Sequence, residues 1–138
     1  MNILYIYAHP NPLSFSSVLK QFAVDLLQKH DNQIIISDLY QMDFNPIASF
    51  EDFDLDFDLI EDPSTMPYFS AQKDAYVQHK LSLDIQNEID KINWADHVIF
   101  QFPLWWFSAP AVTKGYLDRI LLKGFAYDAE KIFEQGLL

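Results

Sequence analysis

Three short apolar runs divide the chain, and each has the length and the β-branched composition of a buried parallel strand. They span Asn2–Ala8, Gln33–Leu39 and Asp96–Phe102. Between the first two runs, apolar residues recur at helical spacing and predict a helix with one apolar face. That face comprises Val18, Leu19, Phe22, Ala23, Leu26 and Leu27. Together these segments predict a strand–helix–strand unit with a right-handed crossover.

Further helical patterns follow the second run, after a long irregular connection. They are predicted over Ala71–Leu81, Leu83–Trp94, Ala111–Lys123 and Ala129–Gln135. The connection, Tyr40–Ser70, holds three prolines and exceeds the usual length, which indicates a functional role or packing on a partner. The alternation of strands and helices predicts one α/β domain over residues 1–138, with a doubly wound parallel sheet in the order 2-1-3. Because such sheets usually carry about five strands, we expect either a fold that lacks its C-terminal strands or a sheet that a neighbouring chain completes.

Composition excludes several classes of function. The net charge of −11 argues against nucleic acid or an anionic membrane surface as a partner. The absence of cysteine excludes disulfides and thiol catalysis and suits a reducing compartment. Three glycines are too few for a dinucleotide fingerprint or a Walker P-loop at the required spacing. Since the first apolar run is too short for a signal peptide or a membrane span, we expect a cytoplasmic protein.

Acidic and apolar residues alternate in the middle of the long connection. Asp54, Asp56 and Asp58 have the spacing of a calcium loop, but Leu59 stands where glycine is needed and Thr65 where glutamate is needed. Calcium binding is therefore not predicted, and the scattered histidines indicate no other metal site. The alternation instead predicts an extended arm with one apolar side, suited to lie on another subunit.

Two loops carry the candidate chemistry. Gln101–Phe107 follows the third strand and is rich in large rings, although loops are usually polar. It predicts either a platform for a planar cofactor, or a corner of the hydrophobic core or a subunit interface. His9–Ser17 follows the first strand and predicts either an anion site at a helix N-terminus or a simple helix cap. Because neighbouring parallel strands end at the same edge, we expect both loops in one cleft.

Several segments together resemble the NAD(P)H:quinone oxidoreductases of the DT-diaphorase type, along essentially the whole chain. They are His9–Ser17, Ser37–Pro46, Val98–Phe107, Lys114–Gly115 and Gly124–Tyr127. The resemblance implies a flavodoxin-like fold, FAD rather than FMN as cofactor, and a homodimer. It also implies two-electron hydride transfer from NAD(P)H through FAD to a quinone.

The resemblance also implies roles for particular residues. The pyrophosphate side of FAD is assigned to His9, Phe15 and Ser16. The lining of the isoalloxazine ring is assigned to Pro103, Leu104, Trp105, Trp106 and Phe107. The substrate side, over a partner subunit's flavin, is assigned to Ala126, Tyr127 and Asp128. No catalytic acid is assigned.

Some positions depart from the family's pattern. Trp105 replaces a glutamine, Pro67 stands where longer members have a glutamine that touches FAD, and Ala129 replaces a tyrosine. The family's later flavin-binding turn, and the tyrosine and histidine assigned to hydride transfer, have no counterpart here. Two other functions therefore stay open, namely a flavodoxin-type electron carrier that binds FMN and a non-catalytic or regulatory family member.

Overall fold

The computed structural model describes residues 1–55, 67–128 and 138. The chain divides into two compact units. The first comprises Met1–Pro46 and Glu88–Tyr116, and the second comprises Ile47–Asn87 and Leu117–Leu138. Most of the predicted acidic arm and the predicted helix Ala129–Gln135 lie outside the described residues.

The first unit is built on a three-stranded parallel sheet with the order β2-β1-β3. The strands are β1 (Asn2–Tyr7), β2 (Gln33–Asp38) and β3 (His97–Gln101). Tyr7 lies opposite Asp38 on one side and Gln101 on the other, so the three carboxyl ends are level. The predicted α/β class and the strand order are confirmed, and the loops that follow β1 and β3 leave the sheet at one edge.

The described residues form four α-helices. They are α1 (Phe15–Lys29), α2 (Tyr68–Val77), α3 (Leu83–Trp94) and α4 (Ala111–Ile120). The bounds of α3 match the prediction, while α4 is shorter. Helix α2 begins before the predicted start because Pro67 occupies its N-cap, and it ends early because His79 adopts a positive φ of 55°. Positive φ interrupts a right-handed helix.

Helices cover both faces of the sheet in the first unit. On one face, Tyr5 and Tyr7 pack with Val24 of α1. Alternate residues of a strand point to opposite faces, so Phe100, which lies opposite Ile6, belongs to the other face. There the rings of Phe100 and Tyr116 of α4 lie 6.2 Å apart. Every residue of β1 from Ile3 to Tyr7 is buried as a result.

The apolar face predicted for α1 is only partly covered. Ala23 and Leu27 pack against the sheet as expected. The other four predicted members, Val18, Leu19, Phe22 and Leu26, are 44–65% exposed. In the part of the chain that the structure describes, nothing covers this side of the helix. The same described residues contain no helix that is both long enough and apolar enough to cross a membrane.

A buried ion cluster organises the second unit. Arg119 of α4 is 3% exposed, and its Nη2 lies 2.7 Å from Asp52 Oδ1 while its Nη1 lies 2.8 Å from Asp84 Oδ2. Tyr68 donates to the second oxygen of Asp52 at 2.7 Å. Burial, together with this bond to the Asp52 carboxylate, raises the pKa of Tyr68, which stays a donor. Asp52, the second residue of the acidic stretch, is thus a buried and paired carboxylate, whereas Glu51 before it is exposed.

Candidate functional site

The loops after β1 and β3 line one cavity of about 360 Å³. Its walls are His9, Ser14, Phe15, Ser16, Leu19, Gln101, Phe102 and Pro103. Four of the predicted site residues, His9, Phe15, Ser16 and Pro103, are therefore brought together. No lysine, arginine or carboxylate is among the lining residues, so any anion in this cavity depends on neutral donors and on the helix dipole.

The N-terminus of α1 presents hydrogen-bond donors to this cavity. Ser14 is the N-cap, and its side chain accepts from the Ser17 amide at 3.1 Å. The first amides of a helix have no partner within the helix. Among the described residues, the N–H groups of Phe15 and Ser16 likewise have no hydrogen-bond partner. Two free amides at the positive end of a helix form an anion-binding arrangement.

His9 is held by the turn that leads into this helix. The Asn11 amide donates to its Nδ1 at 3.0 Å, and Asn11 Oδ1 accepts from the Leu13 amide at 2.9 Å. A neutral imidazole that accepts at Nδ1 carries its proton on Nε2. His9 therefore has a second nitrogen available as a donor.

Gln101, the last residue of β3, ties the two loops together. Its side-chain Nε2 donates to the backbone oxygen of Ser16 at 2.7 Å and to the Ser16 hydroxyl oxygen at 3.0 Å. Its Oε1 accepts from the hydroxyl of Tyr5 in β1. Sequence reasoning assigned no role to Gln101, although a polar side chain at the end of an apolar strand was a usable signal.

The aromatic loop contains a two-residue hairpin. Trp105 and Ser108 exchange two backbone hydrogen bonds of 2.9 and 3.0 Å. Trp106 and Phe107 between them have positive φ values of 51° and 62°. Positive φ at both central residues is the geometry of a type I′ turn, which normally selects asparagine and glycine. The turn leaves the rings of Trp106 and Phe107 95% and 100% exposed.

The other residues of this loop differ in their surroundings. The ring of Trp105 lies 6.2 Å from that of His9 at an angle of 63°, an edge-on contact between the two loops. Leu104 is 76% exposed. Among the described residues, the N–H groups of Trp106 and Phe107 have no hydrogen-bond partner. The loop thus offers exposed rings beside free amide donors.

The three residues assigned to the substrate side lie in the second unit. Gly124, with a φ of 91°, donates its amide to the backbone oxygen of Tyr127 at 2.7 Å and closes a turn. Ala126 lies within that turn and is partly exposed. Asp128 pairs with Lys73 at 2.7 Å. The Tyr127 ring is 37% exposed, and its role stays a prediction.

A second cavity of about 370 Å³ lies beside the first loop, lined in part by Tyr7, His9 and Asp38. Lys20 of α1 is 2.9 Å from Asp38 and 4.2 Å from the centre of the Tyr7 ring. The lysine is therefore neutralised and is not a free cation for a ligand. Within the described ranges, no group of three or more histidines and carboxylates could hold a metal ion.

Comparison with known proteins gives consistent matches. Ribosyldihydronicotinamide dehydrogenase (quinone) of Pongo abelii is 43% identical over 136 residues, which are 99% of this chain and 58% of that protein. NAD(P)H dehydrogenase (quinone) 1 of Cavia porcellus is 39% identical over 133 residues, which are 96% of this chain and 47% of that protein. The solved NAD(P)H:quinone oxidoreductase of Methanothermobacter marburgensis has a TM-score of 0.75 at 28% identity, covering 94% of this chain and 58% of that one.

These similarities confirm the resemblance to the quinone oxidoreductases. The chain spans about half the length of the relatives that it matches. The sequence profile of the family described as flavodoxin-like fold matches residues 1–138. With a parallel sheet in the order 2-1-3 and a profile that matches from residue 1 to residue 138, the chain belongs to the flavodoxin-like fold family.

Proposed function

We propose that the chain binds FAD and acts as an NAD(P)H:quinone oxidoreductase, as a homodimer in the cytoplasm. The observation that carries the proposal is the cavity where His9, Phe15, Ser16 and Pro103 meet, at the carboxyl edge of the sheet. Ligands of open α/β sheets bind at this edge, where the strand order reverses. The names of the relatives support the choice of NAD(P)H and a quinone as substrates.

The residues of the first loop fit the phosphate part of a flavin nucleotide. The free amides of Phe15 and Ser16, the Ser16 hydroxyl and His9 are all donors at or near one helix N-terminus. Such donors bind pyrophosphate without a lysine, although less tightly. We assign His9, Phe15 and Ser16 to this role.

The residues of the aromatic loop fit the isoalloxazine ring of a flavin. Pro103 lines the cavity. Beside it, the exposed Leu104 and the rings of Trp105, Trp106 and Phe107 are proposed to orient a flat molecule and exclude water. The free amides of Trp106 and Phe107 are donors for ring oxygens and nitrogens. When bound, a flavin supplies the hydride-transfer chemistry, and the protein orients the reacting molecules and excludes water. Ala126, Tyr127 and Asp128 are proposed to contact the nicotinamide or the quinone.

The first experiment measures flavin binding and turnover by the purified protein. We expect FAD to bind more tightly than FMN in an absorbance titration, and the FAD-loaded protein to reduce menadione with NADPH. Bound flavin without NADPH oxidation would favour the electron carrier. No bound flavin would favour a non-catalytic member, and either result contradicts the enzymatic proposal.

Two alanine variants separate the cofactor side from the substrate side. Trp106→Ala should weaken flavin retention more than Tyr127→Ala, because Trp106 is assigned to the ring and Tyr127 to the substrate. Tyr127→Ala should instead raise KM for menadione. Equal flavin retention in the two variants, or an unchanged KM in Tyr127→Ala, would remove the corresponding assignment.

A further inference from the structure

The hydrogen bonds around Gln101 leave one orientation for its amide group. The backbone oxygen of Ser16 can only accept, so the side-chain nitrogen of Gln101 must face it, at 2.7 Å. The amide oxygen then faces Tyr5, whose hydroxyl must donate. Burial, and to a lesser degree the neighbouring Tyr7, raises the pKa of Tyr5, so this hydroxyl keeps its proton at neutral pH.

The same orientation determines what the Ser16 hydroxyl can do. The Gln101 amide nitrogen also donates to Ser16 Oγ, with 3.0 Å between the two atoms, so that oxygen is already used as an acceptor. A hydroxyl that accepts from one partner has its own proton left to donate to another. Ser16 lines the 360 Å³ cavity together with Gln101, and a donor there faces whatever occupies the cavity.

We infer that Gln101 is a positioning residue that holds the Ser16 hydroxyl as a hydrogen-bond donor to the phosphate of a bound flavin nucleotide. The inference rests on the proposed flavin-binding function. Gln101 does so by joining three elements, since Tyr5 lies in β1, Ser16 in the first turn of α1, and Gln101 at the end of β3. Its bond to the backbone oxygen of Ser16 determines the orientation of the amide group that makes this possible.

The test uses flavins that differ only in phosphate. Riboflavin carries none, whereas FMN and FAD do, and the affinity of the purified full chain for each is measured by fluorescence titration. Gln101→Glu keeps the size of the side chain but presents a carboxylate. The Ser16 hydroxyl would then donate its hydrogen bond to that carboxylate instead of to the phosphate. We expect affinity for FMN and FAD to fall roughly ten- to a hundredfold, with riboflavin affinity unchanged.

Two more variants and a control complete the set. Gln101→Leu, which removes the amide without adding charge, should show the same selective loss, so the inference stays testable if Gln101→Glu does not fold. Ser16→Ala should lose affinity for FMN and FAD to the same extent as Gln101→Leu. The double variant Ser16→Ala/Gln101→Leu should bind FAD little worse than Ser16→Ala alone. The control is Gln72→Leu, because Gln72 is a buried glutamine of the second unit that also donates to a backbone oxygen, that of Asp118 at 3.0 Å.

The outcomes separate this inference from the proposed function. Wild-type binding of FAD with an equal loss of riboflavin and FAD affinity in Gln101→Leu would show a general structural role and overturn the inference alone. If the losses of FAD affinity in Ser16→Ala and Gln101→Leu add up in the double variant, the inference on Gln101 would also be overturned. No flavin binding by the wild type would overturn the proposed function and, with it, the inference. Selective loss of phosphate-bearing flavins, absent in Gln72→Leu, would support both.

Discussion

Trp106 and Phe107 occupy a backbone conformation that their side chains disfavour. Each left-handed non-glycine residue costs about 1–2 kcal/mol, and these two are adjacent, with φ of 51° and 62°. Their rings gain little from burial, because they are 95% and 100% exposed. Strain of this kind persists where it serves a function. Here it leaves two rings exposed and two amides free in the loop that is proposed to hold the flavin ring.

Phe107→Gly should raise the free energy of unfolding by about 1 kcal/mol, since glycine adopts positive φ without strain. It should at the same time weaken flavin retention, because the ring is lost. Thermal melting and absorbance titration measure the two effects. Phe107→Ala is the matched control, which removes the same ring but keeps the strain and so should lose flavin without gaining stability. A stability gain in both variants would contradict the assignment of strain.

Helix α4 meets the loop after β2 at a glycine. A Cβ added to Gly115 would lie 2.1 Å from the backbone oxygen of Pro46, far inside any allowed contact. The ring of Phe44 in the same loop lies 5.4 Å from that of Tyr116. The close approach of α4 to this loop therefore depends on the missing side chain, although glycine weakens a helix interior.

Gly115→Ala should lower the free energy of unfolding by about 1–3 kcal/mol, the usual cost of overpacking. Helix propensity alone predicts the opposite, a gain of about 1 kcal/mol. Urea denaturation distinguishes the two. Gln28→Ala, at an exposed position of α1, is the control and should change stability little. A stabilised Gly115→Ala protein would show that the loop moves aside freely.

At the scale of the whole molecule, an acidic chain contains a buried ion pair. The chain carries a net charge of −11, yet Asp52 is buried beside Arg119. Burying a charge is costly unless it is paired and hydrogen-bonded, and both partners here are. Removing one partner would leave an unpaired buried charge, so the ion pair should matter for the stability of the second unit.

The pKa of Asp84 should make stability depend on pH. Burial raises this pKa, but hydrogen bonds from Ser82 and Arg119 and the charge of Arg119 outweigh it, and the net shift is downward. A carboxyl with a lowered folded-state pKa stabilises the fold above its unfolded value of about 4, and that stability is lost as pH falls through the folded value.

Urea midpoints measured between neutral pH and pH 3 check this dependence. Asp84→Asn should lower stability near neutral pH and flatten the loss below about pH 4, since the titrating group is gone. The effect should be modest, because this side chain is 47% exposed and solvent screens it. Asp74→Asn, at an exposed position of α2, is the control. Parallel pH profiles for wild type and Asp84→Asn would refute the assignment.

Local patterns were sufficient to predict the fold class. Apolar runs and helical spacing identified three strands and the exact bounds of α3, because each depends on neighbours a few positions away. Parallel pairing then implied that the loops after the first and third strands meet at one edge. The acidic stretch was harder, since its periodicity did not reveal that Asp52 is buried against Arg119, 67 positions later.

The sequence by itself determined the parallel α/β architecture, the order of its strands and the two loops that form the candidate site, because these follow from short-range periodicity and from the geometry of parallel strands. Only the tertiary structure decided which side of α1 is covered, the sign of φ at Trp106 and Phe107, and the partners of Gln101. The Gln101–Ser16 bond joins residues 85 positions apart, and such contacts depend on packing, which no local pattern records.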